Sequence, residues 1–273
     1  MELSNIGSAA WGFRALELPA QLALAEKLGF ATHELGIANA DTDIPADASA
    51  ETVAWVKELY KTHGLQLTCA ATGNDFTGDN AAAQLEKVRQ VIALCRALGV
   101  KDLRVFTGFT PISQMNEEKW QQVLSCLAQA AREAKEQGVT LCVETHGAVE
   151  GSEKGVRHIR STTTQIPEIR RVLDAAPVRL VFDPGNLNAV GEDPVAFFEA
   201  VKDRIGYVHL KDFAPVEDGW LRPGAVGEGT TAWSALKEKL TALDVPLLYE
   251  YENCEDLEAG IVRSHESWKG VKA

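Results

Sequence analysis

No apolar stretch in this 273-residue chain approaches the roughly 20 residues that cross a bilayer. The start of the chain lacks the charged-then-apolar plan of a secretory signal. No CxxC pair occurs either. The five cysteines, Cys69, Cys95, Cys126, Cys142 and Cys254, are scattered and odd in number. That pattern argues against a disulfide framework or a thiolate zinc knot, and predicts reduced, mostly buried thiols in a cytoplasmic protein. Positive charge is scarce: 27 Lys and Arg face 39 Asp and Glu, giving a formal net charge of −12. Such a balance repels nucleic-acid phosphates and offers no polybasic membrane patch, so the expected partner is a small molecule. GxGxxG and P-loop signatures are also absent, which removes the fingerprint of a doubly wound nucleotide-binding sheet.

What the chain does have is a repeated punctuation. A helix-like stretch ends in Gly, and a short apolar run follows within a few residues: AEKLGF before ATHEL, YKTHG before LQLTCA, CRALGV before KDLRVF, AKEQG before VTLCVE. Gly just past a helix end supplies a left-handed cap, after which the next strand can begin at once. Strands are predicted near residues 3–8, 31–36, 65–71, 102–106, 139–144, 178–183, 205–210 and 246–251. Helices are predicted near 18–28, 48–63, 80–98, 116–137, 164–175, 193–203, 231–242 and 256–268. About eight strand–helix alternations with no second compositional zone predict a single domain over 1–273, an α/β fold closed as a (β/α)₈ TIM barrel. Two longer segments, 145–162 and 211–230, read as loops covering the substrate site.

Four of the apolar runs end on an acid or an imidazole. Glu144 closes VTLCVE, Asp183 closes VRLVFD, His209 stands in IGYVHLKD, and Glu250 closes VPLLYE. Buried parallel strands read as continuous aliphatic runs, so these residues fall at strand C-termini, the barrel rim on which catalytic groups gather. Three carboxylates and an imidazole form a good site for one divalent metal: Mn²⁺, Mg²⁺ or Co²⁺, with Zn²⁺ also compatible. Each residue has a plainer reading by itself: Asp183-Pro-Gly as a turn, His209 as a satisfied buried histidine. The set is what carries the metal reading.

With these segments the chain resembles the sugar phosphate isomerase/epimerase family, the xylose isomerase-like barrels. The resemblance spans the whole length and is strongest in LCVETHG (141–147), VFDPGN (181–186), YVHLKD (207–212), GEG (227–229) and LLYEYEN (247–253). It implies that Glu144, Asp183, His209 and Glu250 bind one divalent cation. Glu252, on the same face as Glu250 by strand alternation, competes for the last ligand position. Related epimerases place a substrate-contacting glutamate six residues after the first ligand, which corresponds to Glu150. They also place a histidine where this chain has Asn186, whose amide can hydrogen-bond a hydroxyl but cannot gain charge. This departure bears on the epimerase assignment and leaves the metal site intact. Family members include epimerases, isomerases, dehydratases and lyases. Homo-dimers or homo-tetramers are a further expectation from the resemblance.

Glu144 and Glu250 fall on the fifth and eighth predicted strands, so they can face each other across a sugar, one removing a proton and the other returning it. The expected activity is a divalent-metal-dependent isomerase or epimerase of a sugar, polyol or keto-sugar. Lyase or dehydratase chemistry on the same scaffold is the alternative, and a non-catalytic sugar-binding barrel the remote one. Three carboxylates around a 2+ ion leave about −1, which suits a neutral polyol, although Arg157, Arg160, Lys211 and Arg222 could serve a phosphate. Candidate substrate contacts are His146, Glu150, Asn186, Lys211, Arg222, Trp11 and Glu34, with His33 beside Glu34 on the rim. His63, His158 and His265 read as surface or helix-end residues, and Arg104, inside an apolar strand, needs an acidic partner. A DNA-repair endonuclease on this barrel would need a His-rich multi-metal cluster and a basic face; six His and the net charge argue against it.

Overall fold

The structure is a computed structural model and describes residues 6–272. Eight runs of chain close a parallel barrel. They are β1 (Ile6–Ser8), β2 and β3 (Thr32–His33 and Leu35–Ile37, one run interrupted at Glu34), β4 (Cys69–Thr72), β5 (Asp102–Val105), β6 (Thr140–Glu144), β9 (Arg179–Phe182), β10 (Ile205–Leu210) and β13 (Leu247–Tyr249). Every pairing among them is parallel and follows chain order, with β13 returning to β1. The ring closes through the interrupted run: β2 pairs with β1 and β3 pairs with β4. Residues 3–5 of the predicted first strand lie outside the described residues.

Helices return the chain between strands: α1 (Leu18–Lys27), α2 (Ala50–Thr62), α3 (Ala81–Leu98), α4 (Glu117–Glu136), α5 (Ile166–Ala175), α6 (Pro184–Ala189), α7 (Pro194–Val201), α8 (Trp233–Thr241) and α9 (Leu257–Gly270). Local chemistry fixes their ends. Ser49 and Asn116 accept hydrogen bonds from the Thr52 and Lys119 amides at the starts of α2 and α4. Gly99 ends α3 at φ 84° and Gly138 follows α4 at φ 75°, the left-handed turn that the Gly punctuation predicts.

Two departures from the sequence reading matter for function. The six-residue α6 starts directly after Asp183, a stretch for which no helix is predicted; Pro184 at the first helical position and the Asp183 cap start it there. The segments 145–162 and 211–230 each contain a strand pair: β7 (Ala148–Ser152) with β8 (Gly155–Ile159), and β11 (Asp212–Pro215) with β12 (Leu221–Gly224). These two hairpins join through Leu221 and Val156 into a four-stranded antiparallel sheet outside the barrel.

The main core lies between barrel and helices, with residues such as Leu22, Val88, Leu127, Val172 and Leu236 fully buried. A smaller apolar cluster of Ala9, Cys69, Cys142, Val181, Tyr207 and Leu248 fills the barrel axis. All five cysteines are free thiols, four of them buried. Among the described residues no helix is long and apolar enough to cross a membrane.

Candidate metal centre

At the C-terminal rim, Glu144 ends β6, Asp183 follows β9, His209 lies one residue before the end of β10, and Glu250 follows β13. One ligand atom from each lies within 4.8 Å of the others, and all four side chains are buried. His209 presents Nδ1 to Glu250 Oε1 at 3.4 Å and to Glu144 Oε1 at 3.7 Å. Asp183 uses Oδ1 to cap α6 through the Asn186 amide at 2.9 Å. Its Oδ2 and both His209 nitrogens have no hydrogen-bond partner in the protein. Buried polar atoms are almost always satisfied, so such a group of orphans marks a site for something else.

Two cations stand inside the same shell. Lys211 Nζ lies 2.7 Å from Glu250 Oε2 and 2.7 Å from Glu252 Oε1. Arg104 lies 3.4 Å from Glu144 Oε2, which supplies the acidic partner expected for it. Burial alone would raise the Glu250 carboxyl, but Lys211 and then His209 outweigh it and hold it well below the usual carboxylate range. Burial would likewise raise Glu144, and Arg104 turns the balance downward. Burial pushes Asp183 well above the usual range; Lys211 opposes this, and Glu250 and Glu144 add to it. Burial would lower His209, but the charges of Glu250 and Glu34 carry it well above an ordinary imidazole. A protonated imidazole among crowded carboxylates marks excess negative charge, which a divalent cation would offset in its place. The donor set therefore fits such an ion: three carboxylate oxygens and one imidazole nitrogen.

Above this centre opens a cleft of about 390 Å³. Glu144, Glu250, Glu252, Lys211 and Arg104 form its charged floor, while Phe106, Phe109, Val149 and Val156 line an apolar side. Of the residues named from sequence, Trp11, His146 and Lys211 border this cleft, and Glu252 borders it without joining the four-residue cluster. Asn186 is buried beside the centre and donates to Glu144 Oε1 at 3.2 Å. Glu34 is buried behind His209, away from the cleft lining. Glu150 and Arg222 are exposed on the hairpins and do not reach the cleft. The reason is alternation: Val149 pairs with His158 on the side facing the cleft, so Glu150 and its partner Arg157 face away. Arg160 is committed to Glu192 at 2.9 Å.

His158 corrects the sequence reading. It is buried in β8, packs against Phe213 with ring centroids 4.7 Å apart and borders the cleft. Burial drives its pKa down to about 2, so it is a neutral imidazole. The alternation of Val156, Arg157, His158 and Ile159 after a Gly turn was the available signal. Arg14 also borders the cleft, stacked on Trp11 and donating to the Trp11 and Glu252 carbonyls. No sequence pattern singled it out.

Comparison with known proteins agrees with this architecture. Inosose dehydratase of Clostridium beijerinckii is 33% identical over 107 residues, 38% of this chain and 33% of that protein. The match thus spans about a third of the length of that relative. A D-tagatose 3-epimerase-like protein superposes with a TM-score of 0.74 at 17% identity, covering 98% of this chain and 96% of the other. IolI protein with a bound zinc atom superposes with a TM-score of 0.72 at 17% identity, covering 98% and 97%. The sequence profile described as xylose isomerase-like TIM barrel matches residues 22–270. The chain therefore belongs to the xylose isomerase-like TIM barrel family.

Proposed function

We propose that this protein is a divalent-metal-dependent enzyme that moves a proton at carbon beside the carbonyl of an uncharged keto-sugar or polyol derivative, as an isomerase or epimerase. The carrying observation is the buried convergence of Glu144, Asp183, His209 and Glu250, with Asp183 Oδ2 and His209 Nδ1 lacking hydrogen-bond partners in the protein. These four residues would hold the ion. When bound, it supplies Lewis-acid stabilisation of the negative charge that develops on the substrate oxygen.

The residues themselves divide the remaining work. Glu144 and Glu250 lie on the cleft floor as carboxylates, so one can take the carbon-bound proton and the other, once protonated, can return it. Lys211 touches Glu250 Oε2 and holds that carboxylate in its ionised form, ready to accept a proton. Asn186 orients Glu144 through its Oε1. The neutral His146 and His158 border the cleft and offer hydrogen bonds to hydroxyls; burial holds both below an ordinary imidazole. The charge count supports an uncharged substrate. With Asp183 ionised and His209 neutral, as ligands of a bound ion would be, Glu34, Glu144, Asp183, Glu250 and Glu252 share the site with Arg104, Lys211 and Arg14, an excess of two negative charges that one divalent ion balances.

Dehydration is the second reading, favoured by the match to inosose dehydratase. It shares the proton removal and differs in the loss of hydroxide from the adjacent carbon. Incubating the Mn²⁺-loaded protein with inososes and keto-hexoses in D₂O separates the two. A deuterated epimer or isomer supports the first, and a dehydrated product supports the second. No exchange with any of them contradicts both.

A further inference from the structure

Glu34 stood among the candidate substrate contacts, yet it lies behind the metal centre, fully buried between β2 and β3. Every part of its carboxylate is spoken for. Oε2 accepts from the Ala10 amide at 3.0 Å, and Oε1 accepts from the Tyr207 hydroxyl at 2.6 Å. The same Oε1 faces His209 Nε2 at 3.4 Å, slightly longer than a hydrogen bond, while the other ring nitrogen, Nδ1, faces Glu144 and Glu250. Tyr207 and His209 are two residues apart on β10 and in edge contact, with centroids 5.6 Å apart. One strand thus presents both the imidazole and the hydroxyl that orients its acidic neighbour.

We propose that Glu34 is a positioning residue that fixes the proton of His209 on Nε2 and so presents the Nδ1 lone pair to the cation. A neutral imidazole carries its proton on one nitrogen, and a hydrogen bond to the far nitrogen decides which one. A metal-binding histidine held this way by a carboxylate keeps its ring orientation and gains basicity at the liganding nitrogen. Ala10 and Tyr207 hold Glu34 itself, so its oxygen does not swing away from the ring. The inference rests on the metal reading above and assigns Glu34 to the cation rather than to the sugar.

The test uses the full chain, stripped with chelator and titrated with Co²⁺, the visible absorption reporting binding. Glu34→Gln keeps the shape and removes the charge; it is expected to weaken Co²⁺ binding by roughly 10–100-fold. Tyr207→Phe keeps the acid and is expected to weaken it less. Independently, a long-range ¹H–¹⁵N spectrum of Zn²⁺-loaded wild-type protein shows which ring nitrogen of His209 carries the proton, without any variant. A proton on Nε2 supports the proposal. A proton on Nδ1, or unchanged Co²⁺ affinity in Glu34→Gln, overturns it while leaving the metal centre standing. No uptake of Co²⁺ or Zn²⁺ by the wild-type chain overturns both.

Discussion

Asp212 is the residue that draws the β10–α8 connection together and onto the start of α8, and Asp212→Asn is a demanding probe of that tie. Oδ2 accepts from the Gly227 amide at 2.9 Å, the Gly229 amide at 3.2 Å and the Trp233 indole at 2.8 Å. Oδ1 accepts from the Phe213 amide at 3.0 Å and the Thr231 hydroxyl at 2.8 Å. All five neighbours are donors, so an acceptor-only carboxylate suits them and an amide does not. In the better orientation Asn keeps its oxygen on the three Oδ2 donors, and its NH₂ meets the Phe213 N–H. Three bonds to a charged acceptor then become neutral, losing about 1 kcal/mol each, and one buried donor is stranded at about 1–3 kcal/mol. The sum is about 4–6 kcal/mol, corresponding to roughly 10–20 °C in Tm for a domain of this size. Urea and thermal unfolding of the metal-free protein measure it, and Asp212→Leu is expected to be at least as damaging. A Tm within about 2 °C of wild type for Asp212→Asn would refute the reasoning.

Other consequences follow from buried charge and burial of imidazole. Burial lowers His33 to about 4 and His158 to about 2, while the unfolded chain takes up these protons near 6.5. Below about 6.5 the unfolded state binds more protons, so stability falls as pH drops towards 4, with a contribution approaching ~2.7 kcal/mol per pH unit from the pair. Urea unfolding between pH 4.5 and 6.5 checks this, and His158→Phe is expected to remove one proton from the slope. Arg104→Leu leaves the buried Glu144 without its guanidinium and is expected to cost about 3–5 kcal/mol in chelator-treated protein, read from the urea midpoint. Free Mn²⁺ at 100 times its Kd is expected to add about 2.7 kcal/mol, or about 5–10 °C in Tm. The gain should disappear on adding chelator; a Tm indifferent to Mn²⁺ would speak against the site.

The barrel was legible because its grammar is local. Gly29, Gly64, Gly99 and Gly138 take the positive φ that their place after a helix predicts, and uninterrupted apolar runs mark strands buried on both faces. Glu144, Asp183, His209 and Glu250 could be read as a set because parallel strands end on one rim, turning sequence position into spatial convergence. Arg104 was legible through cost alone, since an arginine inside an apolar strand requires an acid. What escaped depends on contacts between distant segments. The Asp212 hub draws on residues 213 to 233, so its sequence neighbours alone did not disclose it. Glu34 looked like a rim residue because its partners, Ala10 after β1 and Tyr207 and His209 on β10, are distant in sequence. The two hairpins carry mixed, partly exposed residues, so their alternation was too weak to separate His158 and Val149 from Glu150 and Arg157.

The central claim is that Glu144, Asp183, His209 and Glu250 hold one divalent cation. Elemental mass spectrometry of the purified protein beside a Glu144→Gln/Glu250→Gln variant tests it most directly. About one Mn, Mg, Co or Zn per wild-type chain, lost in the variant, is the predicted result. A wild-type chain that carries no metal, even after reconstitution, would contradict the account and leave a sugar-binding barrel in its place.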